Sequence, residues 1–439
     1  MTARFGDPAI SCQPPRSFCT SSGGLPTLER MSSSSATAVR APVRPEIQAL
    51  RAVAIGCVVL YHFWPAVLPA GFVGVDVFFV VSGFLITGLL LRDAERHGRV
   101  RLKEFYVRRA RRILPAALAV LSACAVATLL FVPQVEWRPF LQQILSSSLY
   151  VQNWHLARDS QIPNRADLES TPVQHFWSLS VEEQFYLVWP LLIILALWLA
   201  VRLGRRRLAL VAAVLAVATV ASFVHGVILT GQDHNLAYFS TLSRAWEFGV
   251  GGLLAIVPAV VGERLRRTRA LAGWLGLAAI AVAARTFTDP EVFPGAIALV
   301  PVLGTAVVIW AGMPRAALSL APVAGLRPMQ WFGGISYSLY LWHWPIIMFT
   351  PYIVGQPSQA PVMVLLLVLS IVVADASKRW IEDPFRRVVP RERLRMPRAR
   401  RIAVASAAAV AAVVLLSSGV AGYTVEQPYA LCRHAGDGE

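Results

Sequence analysis

Charged residues are scarce in this sequence. Asp, Glu, Lys and Arg make up 15% of its 439 residues, while hydrophobic residues make up 56%. A soluble globular chain carries roughly 25% charged residues, so the composition excludes that class of protein. Apolar runs of about twenty residues recur along the chain, and they indicate a polytopic membrane protein built from helices.

Cysteine is also rare, and its five occurrences show no C-x-x-C spacing with partner histidines. The sequence therefore predicts neither a zinc site nor a disulfide framework, and we expect no metal. The cysteines are Cys12, Cys19, Cys57, Cys124 and Cys432.

The apolar runs predict an all-α bundle of about ten core spans with one extra C-terminal span. The eleven predicted spans are residues 47–66, 72–91, 113–132, 176–200, 208–230, 237–260, 270–285, 295–311, 331–352, 361–378 and 402–422. The first ten lie in a transmembrane domain over residues 45–387. Outside it we expect a disordered cytoplasmic tail rich in Ser, Pro, Thr and Gly (1–44), a basic cytoplasmic linker (388–401) and an extracytoplasmic stub (423–439).

The formal net charge is +16, which in a soluble protein would suggest a nucleic-acid partner. Here the basic residues fall in short loops between apolar runs, so we expect them to set orientation, with no nucleic-acid partner. A cytoplasmic N-terminus puts every basic loop in the cytoplasm and the C-terminus outside. Segment 133–175 would break this alternation if it crossed, so we expect an outer interfacial or re-entrant element there. The basic loops are residues 92–112, 202–207, 263–269 and 378–401, with the loop that holds Arg315 and Arg327.

Arg51 and His62 lie eleven residues apart in the first span. Eleven residues make close to three helical turns and about 16 Å of rise, so both side chains share one face. An ionisable side chain deep inside a spanning helix is costly, which makes His62 a candidate functional residue.

The fourth span places His175 and Glu182 on one face, because they are seven residues apart, with Ser178 on the same stripe. Glu183 points about 100° away, which favours Glu182 as the functional carboxylate. Glu182 and His62 lie at similar depth. A carboxylate beside an imidazole would fix its tautomer and make it a general base.

Other polar residues in the spans have structural alternatives of equal or greater weight. Asp76 either satisfies free N–H groups at a helix start or belongs to the site. Ser82 and Gly83 suit close helix packing. Arg244 and Glu247 are three residues apart, and an internal ion pair is the favoured interpretation.

Ser336, Tyr340 and His343 fall on one stripe of the ninth span, with His343 near the depth of His62. Three histidines at one depth favour a shared polar cavity over separate packing roles. At the cytoplasmic end of the third span, Arg109 and Arg112 share a helical face and suit an anion site. Topology signalling explains the same arginines, and the sequence leaves both explanations open.

Seven motifs in order from about residue 45 to 387 resemble those of membrane-bound acyltransferase family 3. They are RPEIQALRAVAIGCVVLYHF, GFVGVDVFFVVSGFLIT, FYVRRARRILPA, HFWSLSVEEQFYLVWP, SRAWEFGVGGLLA, ISYSLYLWHWPI and RWIEDPFRR. The resemblance implies transfer of an acyl group, usually acetyl, from cytoplasmic acyl-CoA to a hydroxyl of a cell-envelope glycan in the bacterial inner membrane. Acylation of a secreted small molecule is the alternative acceptor, and a transporter without acyl-transfer chemistry is the alternative function.

The family motifs fall on four sets of residues here. They are Arg51 with His62, Arg109 with Arg112, Ser180 with Glu182, Gln184 and Tyr186, and Tyr340 with His343. In the most similar branch an SGNH-hydrolase-like domain follows the eleventh span. This sequence ends soon after that span, so we expect either that the sequence is truncated before such a domain or that a separate extracytoplasmic domain or protein is a partner. The other expected partners are acyl-CoA, membrane lipid and a glycan or lipid-linked sugar.

The resulting hypothesis assigns each residue a role. The CoA phosphates bind Arg109 and Arg112 below Arg51. His62 accepts the proton of the acceptor hydroxyl or carries the acyl group covalently. Glu182 orients His62. His343 or Tyr340 stabilises the oxyanion or positions the acceptor, and Asp76, His175, Ser180, Arg244 and Glu247 complete a polar cavity.

Overall fold

The computed structural model describes residues 44–162, 170–257, 265–355 and 360–386. These residues form helices and turns, and no strand occurs among them. The predicted tail before Arg44, the basic linker, the eleventh span and the stub lie outside the described residues.

Fifteen α-helices occur in this part of the chain. In order they are α1 (Pro45–Phe63), α2 (Gly74–His97), α3 (Leu102–Phe131), α4 (Gln134–Ser148), α5 (Gln152–Asp159), α6 (Phe176–Arg202), α7 (Arg207–Gln232), α8 (His234–Phe239), α9 (Thr241–Ile256), α10 (Arg266–Thr286), α11 (Leu299–Ala311), α12 (Ala321–Ala324), α13 (Arg327–Val354), α14 (Ala360–Ser377) and α15 (Asp383–Arg386).

Six helical segments of the described chain are long and apolar enough to cross a membrane. They are Pro45–Phe63, Gly71–His97, Leu102–Phe131, Phe176–Arg202, Arg207–Gln232 and Ala360–Arg386. The other four predicted core spans coincide with α9, α10, α11 and α13, which this criterion does not include. Two of the four are short, with 16 residues in α9 and 13 in α11. The all-helical class is therefore confirmed for the described residues, which contain six candidate membrane spans.

The segment that interrupts the predicted alternation forms two short helices. α4 has 15 residues and α5 has 8. Neither reaches the roughly 20 residues that a spanning helix needs. The segment therefore does not cross as a single span, which agrees with the expected interfacial or re-entrant element.

Helices α2 and α9 approach each other backbone to backbone because glycine faces the partner on both sides. A Cβ atom on Gly83 would lie 1.9 Å from the Phe248 carbonyl oxygen. One on Gly251 would lie 2.0 Å from the Val80 carbonyl oxygen. The predicted packing role is thereby confirmed for Gly83.

A buried ion triad joins the same two helices. Arg244 Nη2 lies 2.7 Å from Asp76 Oδ1, and its Nε lies 2.9 Å from Glu247 Oε1. All three side chains are almost completely buried. The predicted Arg244–Glu247 pair is confirmed, and Asp76 is a third member whose partner lies on another helix.

Helix α13 packs against α1 in the same manner. A Cβ atom on Gly333 would lie 2.1 Å from the Gln48 carbonyl oxygen, so only glycine permits this approach. The two helices stay in contact beyond this point, and further along them His343 lies next to His62. Two candidate residues far apart in the sequence thereby become neighbours.

Candidate active site between two cavities

The first cavity, called here the arginine cavity, lies between α1, α2, α3, α6 and α13 and has a volume of about 90 Å³. Its ionisable lining consists of three arginines and two glutamates, which leaves one net positive charge. These residues are Arg51, Arg109, Arg112, Glu182 and Glu183. The structure therefore brings the three predicted anion-binding arginines together around one space.

Glu182 is held inside this cavity by three side chains. Ser82 Oγ donates to Glu182 Oε1 at 2.6 Å, and the Tyr186 hydroxyl donates to the same oxygen. Arg109 Nη2 lies 3.5 Å from it, and the Arg109 guanidinium carbon lies 3.7 Å from the Tyr186 ring centroid. The carboxylate and the guanidinium fix each other's positions.

Glu183 lines the same cavity as Glu182, so the spacing that favours Glu182 does not exclude Glu183 from the site. The two side chains still differ by one helical step. The cavity is wide enough around α6 to reach both of them.

The second cavity, called here the histidine cavity, has a volume of about 360 Å³. His62 and His175 line it, and Tyr340 and Val75 line both cavities. These two side chains therefore form the wall between the arginine cavity and the histidine cavity. The histidine cavity is lined by Val58, Tyr61, His62, Pro65, Phe72, Val75, Ser170, Gln174, His175, Trp177, Tyr238, Phe239, Tyr340 and Trp344.

His62 and His343 form a directed hydrogen-bond chain. His343 Nδ1 lies 2.9 Å from the Leu339 carbonyl oxygen, which can only accept, so this nitrogen carries the proton. His343 Nε2 of the neutral ring is then an acceptor. It lies 2.8 Å from His62 Nδ1, which must donate. Because Nδ1 of neutral His62 holds the proton, its Nε2 keeps a free lone pair.

This chain corrects the predicted partner of His62. Among the described residues Glu182 makes no contact with His62, because Ser82, Tyr186 and Arg109 surround its carboxylate. His343 occupies the orienting position instead. Both of its ring nitrogens are engaged, so it has no N–H left for an oxyanion.

The Tyr340 hydroxyl is also engaged in hydrogen bonds in this structure. It donates to the His175 carbonyl oxygen at 2.9 Å, and Ser178 Oγ lies 2.6 Å from it. The hydroxyl proton therefore holds the ring in the wall between the cavities. A role for Tyr340 as an oxyanion donor would require that bond to break.

His175 is buried at 4% exposure, at the start of α6. Its ring centroid lies 5.7 Å from that of His343 and 5.4 Å from that of Tyr340. The three predicted histidines therefore lie close together, although His343 lines neither cavity.

Residues 44–378 match the family profile of an acyltransferase domain. The chain belongs to this acyltransferase family. It is 30% identical over 355 residues to the peptidoglycan O-acetyltransferase OatA of Listeria monocytogenes, covering 78% of this chain and 56% of that protein. It is 30% identical over 356 residues to the O-acetyltransferase OatA of Staphylococcus aureus, covering 78% and 57%. No solved structure matches the chain.

The chain spans a little more than half the length of the curated relatives it matches. The predicted family is confirmed by these matches.

Four residues that were predicted to complete the polar cavity line neither of the two cavities: Asp76, Ser180, Arg244 and Glu247. Ser180 lines neither cavity, since its hydroxyl donates to the Phe176 carbonyl at 3.0 Å and accepts from Gln152 N–H at 3.3 Å. Ser82, expected to pack, instead holds Glu182. The signal for Ser82 was available, because a serine inside an apolar spanning helix seeks a polar partner.

Proposed function

We propose that this chain is an integral membrane O-acyltransferase of the bacterial inner membrane. It moves an acyl group, in the simplest case acetyl, from cytoplasmic acyl-CoA to a hydroxyl of a cell-envelope glycan. The family match and two relatives named as O-acetyltransferases support this proposal. The same proposal includes ten core spans and an eleventh, with the N-terminus in the cytoplasm and the C-terminus outside.

The observation that carries the proposal is the free lone pair on His62 Nε2. A neutral imidazole with one nitrogen fixed as donor and the other unprotonated is a general base. Its orienting bond to His343 also stabilises the imidazolium that forms when a proton is accepted. His62 lines the larger cavity, and the arginine cavity begins on the other side of Tyr340.

The arginine cavity suits the acyl donor. Its one net positive charge favours an anionic ligand, but about 90 Å³ is too small for a nucleotide. We therefore assign the thioester end to this cavity, near Arg51 and Arg109. The phosphates would lie at the exposed side chains of Arg108 and Arg111, which continue the positive charge along α3.

The transfer step requires the Tyr340 side chain, which separates the two cavities in this structure, to move aside so that the acceptor hydroxyl can reach the thioester. His62 Nε2 takes the proton of the acceptor hydroxyl as its oxygen attacks the thioester carbonyl carbon. The tetrahedral intermediate then collapses, the carbon–sulfur bond breaks, and the CoA thiolate takes the proton from the His62 imidazolium. The acyl ester and the free thiol are the two products, and the base is regenerated.

The test uses the full chain purified in lipid nanodiscs with radiolabelled acetyl-CoA and a soluble N-acetylglucosamine oligomer as acceptor. His62→Ala should lower kcat by about 100-fold or more, because general base catalysis typically contributes that much. His225→Ala is the matched control, since His225 is exposed on α7 and lines neither cavity. Wild-type transfer in His62→Ala would refute the assignment of the base, and absence of transfer in the wild-type protein would refute the function.

A further inference from the structure

The walls of the histidine cavity are aromatic. Seven of its fourteen lining residues carry a phenyl, phenol or indole ring. Among the described residues, no Asp, Glu, Lys or Arg lines it. The aromatic residues are Tyr61, Phe72, Trp177, Tyr238, Phe239, Tyr340 and Trp344.

Three of these rings pack against one another and form a continuous aromatic surface. The Trp177 centroid lies 4.7 Å from that of Tyr238 and 5.6 Å from that of Phe239. Behind this surface the Arg244 guanidinium carbon lies 5.7 Å from the Tyr238 centroid and 6.0 Å from that of Trp177. Because the ion triad holds Arg244, it also holds these rings in place.

The same cavity contains polar atoms that lack partners. Gln174 Oε1 and both ring nitrogens of His175 are buried without a well-formed hydrogen bond to any described residue. The Leu341 carbonyl, which Pro345 deprives of its helical N–H partner, is an available acceptor for one ring nitrogen of His175. If one nitrogen of His175 turned to this carbonyl, the other would remain free. Buried polar groups are normally paired, so these atoms indicate a ligand with hydroxyl groups.

We propose that the histidine cavity is the acceptor subsite and that it binds one uncharged pyranose ring. This inference rests on the proposed function. The apolar C–H face of the sugar packs on Trp177 and Tyr238, and its hydroxyls pair with Gln174 and His175. One further hydroxyl faces His62.

The chemistry of the lining excludes other ligand classes. An acyl chain would leave the polar atoms of Gln174 and His175 unpaired, which is costly in a buried site. Among the described residues of this lining a charged acceptor would find no free counter-ion, since the neighbouring Arg244 guanidinium is already paired with Asp76 and Glu247. A neutral ring with one apolar face and several hydroxyls satisfies both sets of groups.

The first experiment measures sugar binding without any acyl donor, so that it does not depend on catalysis. Saturation-transfer NMR on the full chain in nanodiscs compares methyl β-D-glucopyranoside with methyl β-D-glucuronide, which differs by a carboxylate. The neutral glycoside should bind at least about 10-fold more tightly, because the carboxylate would be buried unpaired. Equal affinity for the two glycosides would overturn the proposal.

The second experiment tests the aromatic surface. Trp177→Ala should weaken glucoside binding and raise the acceptor KM by about 10-fold, with the acyl-CoA KM unchanged. Trp177→Phe keeps a ring and should recover most of the affinity, which separates stacking from misfolding. Trp198→Ala is the matched control, because Trp198 is exposed on the same helix.

The outcomes separate the subsite from the function it rests on. Sugar binding in a protein that transfers no acetyl group would leave the subsite intact and refute the proposed function. If the wild-type protein transfers acetyl groups but Trp177→Ala binds the glucoside as tightly as the wild type, the subsite is refuted and the proposed function is retained.

Discussion

Replacing His343 tests the hydrogen-bond chain that prepares His62. His343 is completely buried, so His343→Leu removes the acceptor for His62 Nδ1–H while nearly preserving volume. His343→Gln retains an acceptor, since the amide oxygen can accept the same proton. We expect the Leu variant to lose most of its kcat and the Gln variant to recover much of it.

The size of the loss follows from two contributions. The 2.8 Å bond between His62 Nδ1 and His343 Nε2 selects the reactive tautomer, and a neutral bond of this kind contributes about 0.5–1.5 kcal/mol. The same bond to the imidazolium in the transition state contributes about 1.5–3 kcal/mol. Together they amount to about 2–4.5 kcal/mol, or roughly a 30- to 2,000-fold loss of kcat in His343→Leu.

The assay measures kcat and KM separately for acetyl-CoA and for the sugar acceptor in nanodiscs. The acetyl-CoA KM should stay unchanged, because His343 does not line the arginine cavity. Thermal unfolding of each variant checks that the bundle remains intact. If Leu and Gln variants are folded and equally inactive, or if His343→Leu retains the wild-type kcat, the orienting role is refuted.

Two further predictions concern the donor site and the packing. Arg109→Lys should raise the acetyl-CoA KM by about 10-fold, because an ammonium cannot reproduce the guanidinium fork. Arg285→Lys, at an exposed position, is the control and should leave this KM unchanged. Equal KM values in the two variants would favour topology signalling as the only role of Arg109. Gly83→Ala should lower stability by about 1–3 kcal/mol in thermal unfolding, because the added methyl meets the Phe248 carbonyl. Gly56→Ala, with nothing within 4 Å of the new methyl, should not, and equal unfolding temperatures would refute the close contact.

The helices could be predicted from the sequence because their signals are local. Run length and composition give each apolar segment, and ten helices coincide with the ten predicted core spans. The Arg244–Glu247 ion pair could also be predicted locally, since the two residues lie three positions apart on one helix. The third member of the triad, Asp76, lies on another helix and was left undecided.

Partners between helices could not be predicted in the same way. Spacing shows which residues share a face, but it does not show which helices are neighbours. His62 and Glu182 lie at similar depth, yet α1 packs on α13, where Gly333 permits close approach. His343 therefore reaches His62, and Glu182 instead contacts side chains of α2, α3 and α6.

The use of a second imidazole in place of a carboxylate has a physical reason. A carboxylate beside His62 would place a charge inside the membrane, where each ionised side chain is costly. The chain from His62 through His343 to the Leu339 carbonyl is neutral at rest. Its direction is set by a backbone oxygen, which cannot donate and cannot lose a proton, so the reactive tautomer does not depend on the ionisation of a neighbour. Charge then appears on His62 only while the acceptor proton is held.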